Sequence, residues 1–369
     1  MNAPEQLREL GQSLWLDNIT RELLAGGTLA RYIREFAVTG LTSNPTIFDH
    51  AIAQAWSYDD AIRSKAAAGR SGEALFFELA LEDLTQAAAL FRPIHDATSG
   101  IDGWVSLELS PSLAEDTTGS IDAAIELHAR AQCPNLLIKI PGTRAGIPAI
   151  EEAVFSGVPV NVTLLFSAGQ YSAAADAYLR GIERRLAAGR DPRIASVASL
   201  FVSRWDAAVN DRVSEGLRNR LGIAIAMRTY KIHRDLLASA RWKELAARGA
   251  RPQRLLWAST GTKDPQAPEV LYVEALAAPD TINTMPEKTL LAFAAHGKVQ
   301  HAMPLEGGEA EATLAEFARE GIDAHALGAE LQHAGKSAFA KSWNSLMHRI
   351  AAKSGIPSNP DGNEPGAAP

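Results

Sequence analysis

The chain has 369 residues, 46% of them apolar and 21% charged, which is the balance of a globular protein with one large domain or two ordinary ones. Its net charge of −7 and the absence of a basic tract argue against nucleic acid as a partner, so an anionic substrate would need local cations. The single cysteine excludes an intrachain disulfide, and neither a secretory signal nor an apolar run of about 18 residues is visible; these features predict a cytoplasmic protein that does not cross a membrane.

Short apolar runs of strand composition recur along the chain between longer helical stretches. The eight predicted strands are Leu14–Asn18, Gly40–Asn44, Gly103–Leu109, Asn135–Pro141, Pro159–Phe166, Ala195–Phe201, Arg254–Thr260 and Thr281–Met285. Alternation of strands and helices favours a parallel sheet, and eight such units favour a closed (β/α)8 barrel, the TIM-barrel fold. Several runs are continuously apolar, as buried parallel strands require.

The stretches of helical composition predict more helices than the barrel itself needs. Between strands, the predicted helices include Arg21–Val38, Glu73–Arg92, Ile121–Gln132, Ala168–Ala188 and Ala224–Arg248. The predicted helices after the eighth strand are Glu287–His296, Glu309–Arg319 and Ala324–Ala352. We expect this C-terminal helical extension to pack over one end of the barrel. A single domain is therefore predicted over residues 1–353, followed by a disordered tail over residues 354–369 that is rich in Gly, Pro, Asn and Asp.

Polar residues lie near the C-terminal ends of the predicted strands, where the active sites of barrel enzymes lie. Lys139 stands inside an apolar run, and burial of a lysine favours the neutral amine that attacks a carbonyl, so Lys139 is a candidate Schiff-base lysine. The other candidates are Asp17, Asn44, Glu108, Asn161, Thr163 and Ser199, with the cations Arg204 and Lys263 just beyond the sixth and seventh strands. This inventory suits a polyhydroxylated carbonyl substrate that carries a phosphate.

Simpler structural roles compete with this interpretation. Asp17 can cap the next helix, Asn44 can serve turn chemistry alone, and Glu108 can be a structural partner of the lysine. Arg204 can be a solvated helix residue, and Lys263 has the weakest case for a functional role. The sequence has no phosphate-loop or dinucleotide-binding glycine pattern, and its histidines lack metal-site spacing, so no cofactor or metal is expected.

Five segments resemble, in order, the motifs of transaldolases, and the chain is most similar to their long bacterial type. These segments are Thr39–Phe48, Val105–Glu108, Leu137–Thr143, Asn161–Phe166 and Ser199–Arg204. The resemblance runs from about residue 14 to residue 284. It implies an enzyme of the pentose phosphate pathway that moves a dihydroxyacetone unit from sedoheptulose 7-phosphate to glyceraldehyde 3-phosphate. The products would be erythrose 4-phosphate and fructose 6-phosphate.

The same resemblance implies a role for each candidate residue. Lys139 would form the Schiff base and Asp17 would handle the proton of the C4 hydroxyl. Glu108 would relay protons through a water that Thr163 holds. The residues implied in substrate binding are Asn44 and Asn161 for the dihydroxyacetone hydroxyls, Ser199 and Arg204 for the phosphate, Phe201, and Lys263 near the place where many shorter transaldolases have an arginine.

Two other functions remain open at this point. A fructose-6-phosphate aldolase would release free dihydroxyacetone, but such enzymes tend to be shorter and to carry glutamine at the position of Glu108 and tyrosine at that of Phe201. A non-catalytic sugar-phosphate-binding barrel has no need of a buried amine. Phosphorylated sugars are the expected partners in each case, and both a monomer and a homodimer are compatible with the sequence.

Overall fold

The computed structural model describes residues 1–355, in which eight parallel strands close into one barrel in chain order. The strands are β1 Ser13–Asp17, β2 Val38–Thr42, β3 Val105–Glu108, β4 Leu136–Pro141, β5 Val160–Leu165, β6 Ser196–Phe201, β7 Gln253–Ala258 and β8 Ile282–Met285. Each predicted strand overlaps an observed strand and its ends differ by no more than two residues. The predicted (β/α)8 barrel is therefore confirmed.

Sixteen α-helices surround the barrel within residues 1–355. They are α1 Ala3–Glu9, α2 Arg21–Ala25, α3 Thr28–Glu35, α4 Pro45–Gln54, α5 Asp59–Ala67, α6 Gly72–Ala97, α7 Thr117–Ala131, α8 Gly146–Ser156, α9 Ala168–Ala187, α10 Ser203–Val209, α11 Leu221–Ala238, α12 Ala240–Ala247, α13 Leu271–Ala275, α14 Glu287–His296, α15 Ala310–Arg319 and α16 Ala324–Ser354. None of them is long and apolar enough to span a bilayer.

Two of the predicted helices are interrupted, and both interruptions have a local cause. The predicted helix 21–38 ends early because Gly27 adopts a left-handed backbone with φ of 72°, which separates α2 from α3. The predicted helix 224–248 is divided at Ser239, whose extended backbone ends α11 and whose side chain accepts a hydrogen bond from the Trp242 amide to start α12. Continuous helices at these two places are therefore wrong.

The lower part of the barrel, towards the N-terminal ends of the strands, is filled by Trp15. A Cβ atom at Gly40 would lie 2.5 Å from the Trp15 indole, so only glycine leaves room for that ring. Side chains alternate along a strand, so Asp17 faces the same side as Trp15, two residues nearer the C-terminal end. The packed tryptophan thus leaves the polar residues at the C-terminal mouth of the barrel.

Helix α16 crosses the mouth of the barrel at the C-terminal ends of the strands. Gln332 donates from Nε2 to the carbonyl oxygens of Gly142 at 3.0 Å and Leu164 at 2.9 Å. An ion pair of 2.9 Å between Arg349 and Asp49 ties its last turns to α4. The expectation that the C-terminal helices cover a barrel end is confirmed for this helix, whereas α15 packs on the side of the barrel against α11.

Of the predicted tail, only its first two residues are described. Ser354 ends α16, and Gly355 follows in a left-handed conformation with φ of 71°. Residues 356–369 lie outside the described residues.

Candidate active site

Strand register places three predicted site residues in one layer of the barrel. Glu108 of β3 lies opposite Lys139 of β4, and Lys139 lies opposite Asn161 of β5. Residues paired in this way on neighbouring parallel strands project side by side on the same face. All three side chains are buried, with Lys139 and Glu108 each 5% exposed.

The Lys139 ammonium is held by two oxygen atoms. Its Nζ donates to the Ser43 carbonyl oxygen at 3.1 Å and lies 3.1 Å from Oε2 of Glu108. Apart from this ion pair, Oε2 of Glu108 has no other partner within the described residues. Glu108 is thus an ion-pair partner of Lys139, which agrees with both its structural and its catalytic interpretation, and it keeps bonding capacity for another group.

Two carboxyl groups face this one ammonium. Burial raises the pKa of Asp17 above its usual range, and the charge of Lys139 opposes that rise. Burial likewise raises the pKa of Glu108 above its usual range. The positive charge of Lys139 opposes this rise, and the negative charge of Asp17 adds to it. Carboxyl groups whose pKa is raised in this way can hold or exchange a proton near neutral pH, as general acid–base catalysis requires.

Thr42 holds the Asp17 carboxylate in place. Its hydroxyl lies 2.6 Å from Oδ1 of Asp17 and 2.7 Å from the hydroxyl of Thr284. The helix that follows β1 is capped by Thr20 and not by Asp17, so the capping interpretation of Asp17 is wrong. The carboxylate is directed into the barrel mouth.

One hydroxyl group near Lys139 bonds no other group within residues 1–355. It is Oγ1 of Thr163, which is buried. Thr163 pairs with Pro141, two residues beyond the pairing of Lys139 with Asn161. A buried polar atom without a partner costs about 1–3 kcal/mol, so Oγ1 of Thr163 is well suited to bond a substrate or a water, and Oε2 of Glu108 offers a further acceptor besides its ion pair with Lys139.

A hydrogen-bonded chain fixes the amide of Asn161. Its Nδ2 donates to the Ser106 hydroxyl at 3.1 Å, and its Oδ1 accepts from the Ser199 hydroxyl at 2.7 Å. Ser199 therefore lies beside Asn161, deep in the barrel. Its role as a phosphate ligand remains a prediction without a supporting contact.

Arg204, in the first turn of α10, is a largely buried cation between aromatic rings. Its guanidinium lies 5.3 Å from the centre of the Phe201 ring and 5.9 Å from that of Phe339 in α16. Burial lowers its pKa, against the charge of Glu108, and it makes no hydrogen bond or ion pair within residues 1–355. The interpretation as a solvated helix residue is wrong. A buried cation without an anion is costly, so this position is suited to bind one.

The remaining predicted residues lie around this centre. Asn44 caps α4 by accepting from the Ile47 amide at 3.0 Å, and its Nδ2 has no partner within the described residues. Phe201 stacks on Phe166 with ring centres 5.2 Å apart. Lys263 is exposed on the loop after β7, where its charge still lowers the pKa of Asp17.

Several residues at the mouth were not predicted as site residues. Thr42 and Ser106 lie within the segments that resemble the family motifs, so a polar residue inside an apolar strand was the available signal. Gln332 and Phe339 come from α16, whose position over the mouth has no local signature in the sequence. Within residues 1–355 no group of three or more His, Cys, Asp or Glu side chains is arranged to hold a metal.

Comparison with known proteins gives consistent similarities over nearly the whole chain. The model of the family described as "Transaldolase/Fructose-6-phosphate aldolase" matches residues 14–350. A protein of Thiobacillus denitrificans named transaldolase is 44% identical over 358 residues, covering 95% of this chain and 100% of that relative. The transaldolase of Saccharopolyspora erythraea is 44% identical and covers 94% of this chain and 96% of that relative. The transaldolase of Thermobifida fusca is 43% identical and covers 95% of this chain and 98% of that relative.

Proposed function

The chain belongs to the transaldolase/fructose-6-phosphate aldolase family, and we propose that it acts as a transaldolase through a Schiff base on Lys139. It transfers a dihydroxyacetone unit from sedoheptulose 7-phosphate to glyceraldehyde 3-phosphate and so forms erythrose 4-phosphate and fructose 6-phosphate. The observation that carries the proposal is the buried amine of Lys139 in contact with Glu108, with the unpaired Arg204 near the same mouth.

Schiff-base formation needs a positioned amine and nearby proton donors. The Ser43 carbonyl and Glu108 hold Nζ of Lys139. Glu108 takes a proton from the ammonium, and the free amine then attacks the ketose carbonyl. The resulting carbinolamine loses water when a carboxyl group protonates its hydroxyl. The raised pKa of Glu108 supports it as this acid, and a water bonded to Glu108 and Thr163 is the path for the proton.

Carbon–carbon cleavage then uses the iminium group as an electron sink. Asp17 takes the proton of the C4 hydroxyl while the bond between C3 and C4 breaks and its electron pair moves to the iminium. The aldose product leaves, and the three-carbon enamine stays on Lys139 until an acceptor aldehyde arrives. Covalent retention of the enamine gives a ping-pong reaction.

Substrate binding uses the groups that surround the lysine. Arg204 binds the phosphate as a cation in a protein of net charge −7, because a guanidinium can form two parallel bonds to phosphate oxygens. Asn161, held by Ser106 and Ser199, and the Nδ2 of Asn44 bind the hydroxyl groups of the dihydroxyacetone unit. Phe201 supports the arginine, and Lys263 adds positive charge at the rim.

The experiment that tests this proposal separates the transferase from the aldolase. Release of glyceraldehyde 3-phosphate from fructose 6-phosphate is measured with and without erythrose 4-phosphate. We expect sustained release only with the acceptor, since the enamine cannot otherwise leave. Sustained release without it would instead identify a fructose-6-phosphate aldolase, and an inactive Lys139→Met variant serves as the background control.

A further inference from the structure

A cavity of about 320 Å³ lies at the N-terminal end of the barrel, away from the mouth that holds Lys139. It is bounded by residues at or before the starts of β3, β4, β6 and β7 and by helices α11 and α12. Its walls are mainly apolar, with Trp104 and Val197 on the barrel side and Leu237 and Trp242 on the helix side. This volume and lining are typical of sites for small molecules.

Two arginines supply the polar part of this N-terminal cavity. Arg251 donates to the carbonyl oxygens of Gly100 and Ser99. Arg254 donates from Nη2 to the Ser13 hydroxyl at 2.8 Å and the Thr281 carbonyl at 2.9 Å, and from Nη1 to the Ile101 carbonyl at 3.3 Å, which leaves its Nε–H and one Nη1–H free. Within residues 1–355, neither guanidinium forms an ion pair with a carboxylate, although both are partly buried.

The other titratable groups of the cavity leave its charge positive. Asp280 is the carboxylate of the lining, but it is turned to the exposed rim, where Arg234 lies 3.2 Å from it. Burial lowers the pKa of His233 to about 3, so its ring is neutral at physiological pH and bonds Tyr171 through Nδ1 at 2.8 Å. Asp102 accepts hydrogen bonds from Ser13 and Trp15 and forms no ion pair with Arg254. Its negative charge only opposes the lowering of the Arg254 pKa by burial.

We propose that the N-terminal cavity binds a small organic carboxylate with an apolar, preferably aromatic, body. The carboxylate would bond the free N–H groups of Arg251 and Arg254, and the body would lie between Trp104 and Trp242. A sugar phosphate is a poor match, because the walls offer few partners for its hydroxyl groups. The site is independent of the proposed chemistry at Lys139, since it takes a different class of ligand at the opposite end of the barrel.

The test uses 3-phenylpropanoate as the probe and 3-phenylpropan-1-ol as a neutral control of similar size. Isothermal titration of the full chain should show saturable binding of the acid and much weaker binding of the alcohol. Arg251→Met should weaken binding about tenfold or more, which is the loss of one charge-assisted hydrogen bond, whereas Arg251→Lys should retain most of it. Leu237→Trp should block the cavity while the circular dichroism spectrum stays unchanged.

Lys139→Met separates this site from the active site, because it should abolish transfer activity and leave binding of the probe intact. Equal binding of acid and alcohol would overturn the proposal, as would undiminished binding to a folded Leu237→Trp variant. Competition between the probe and fructose 6-phosphate for one site would also overturn it, since the ligand would then occupy the mouth. Absence of saturable binding at millimolar probe would refute the site outright.

Discussion

Replacing Gly335 by alanine perturbs the proposed phosphate site from the helix that crosses it. A Cβ atom at this position would lie 3.0 Å from Cδ2 of Leu164 and 3.2 Å from Nη1 of Arg204. Both distances are shorter than ordinary van der Waals contacts, so the neighbours must move by a few tenths of an ångström. Arg204 has little freedom to do so, because it lies between the rings of Phe201 and Phe339.

The size of the expected rise in KM follows from the hydrogen bonds that Arg204 would make to the phosphate. Hydrogen bonds to a charged group contribute about 1.5–3 kcal/mol, so removing the guanidinium in Arg204→Met should raise KM for phosphorylated sugars about 10- to 150-fold. Gly335→Ala keeps the cation but displaces it, so we expect a smaller rise, roughly 3- to 10-fold. The free energy of unfolding should fall by no more than about 2 kcal/mol, since overpacking of about 1–3 kcal/mol is partly offset by about 1 kcal/mol of helix propensity.

A second glycine of the same helix gives the matched control. A Cβ atom at Gly328 would lie 3.2 Å from the Trp205 ring and 3.4 Å from Cβ of Ser167, and it has no contact with Arg204. Steady-state kinetics with fructose 6-phosphate should therefore show a raised KM for Gly335→Ala and an unchanged KM for Gly328→Ala. An unchanged KM in Gly335→Ala, or the same rise in both variants, would refute the reasoning.

Two further predictions concern Thr163 and Asp206. Thr163→Val removes a hydroxyl that bonds nothing within residues 1–355, so the free energy of unfolding should not fall while kcat falls about 10- to 100-fold. Urea unfolding and steady-state kinetics check this, and an unchanged kcat would exclude a relay role. Burial raises the pKa of Asp206 from 3.8 to about 6. The contribution of the protonated Asp206 to stability is therefore complete below pH 3.8 and is lost as the pH rises through 6. The loss amounts to about 3 kcal/mol. Asp206→Asn should gain stability relative to wild type between pH 4 and pH 7 in urea unfolding, and a constant difference across that range would contradict the burial argument.

The barrel was predictable because buried parallel strands leave a direct mark in the sequence. Short runs of strand composition, several of them continuously apolar, predicted all eight strands, and a single lysine within one of them indicated the centre of the candidate site. Interruptions of the helices were harder to predict, since Gly27 and Ser239 act through local backbone geometry that helical composition does not reveal. Helix propensity summed over a long stretch of sequence does not reveal a single residue that interrupts the helix.

The contacts between α16 and the candidate site could not be predicted from the sequence. Phe339 contacts Arg204 although the two residues are far apart in the chain, and no local sequence pattern near either residue predicts the contact. Asn44 and Glu108 each make a structural contact, as an N-cap and as an ion-pair partner of Lys139, and these contacts leave their functional roles as predictions. Hydrogen-bond partners of this kind depend on register and packing, which appear only when the barrel closes.

The most direct test of the account is the identity of the residue that forms the covalent intermediate. The protein is incubated with fructose 6-phosphate, reduced with borohydride, digested and analysed by mass spectrometry. We expect one three-carbon adduct, located on Lys139, and no adduct in a Lys139→Met variant whose circular dichroism spectrum matches that of the wild type. An adduct on another lysine, or an undiminished adduct in the folded variant, would contradict the central claim.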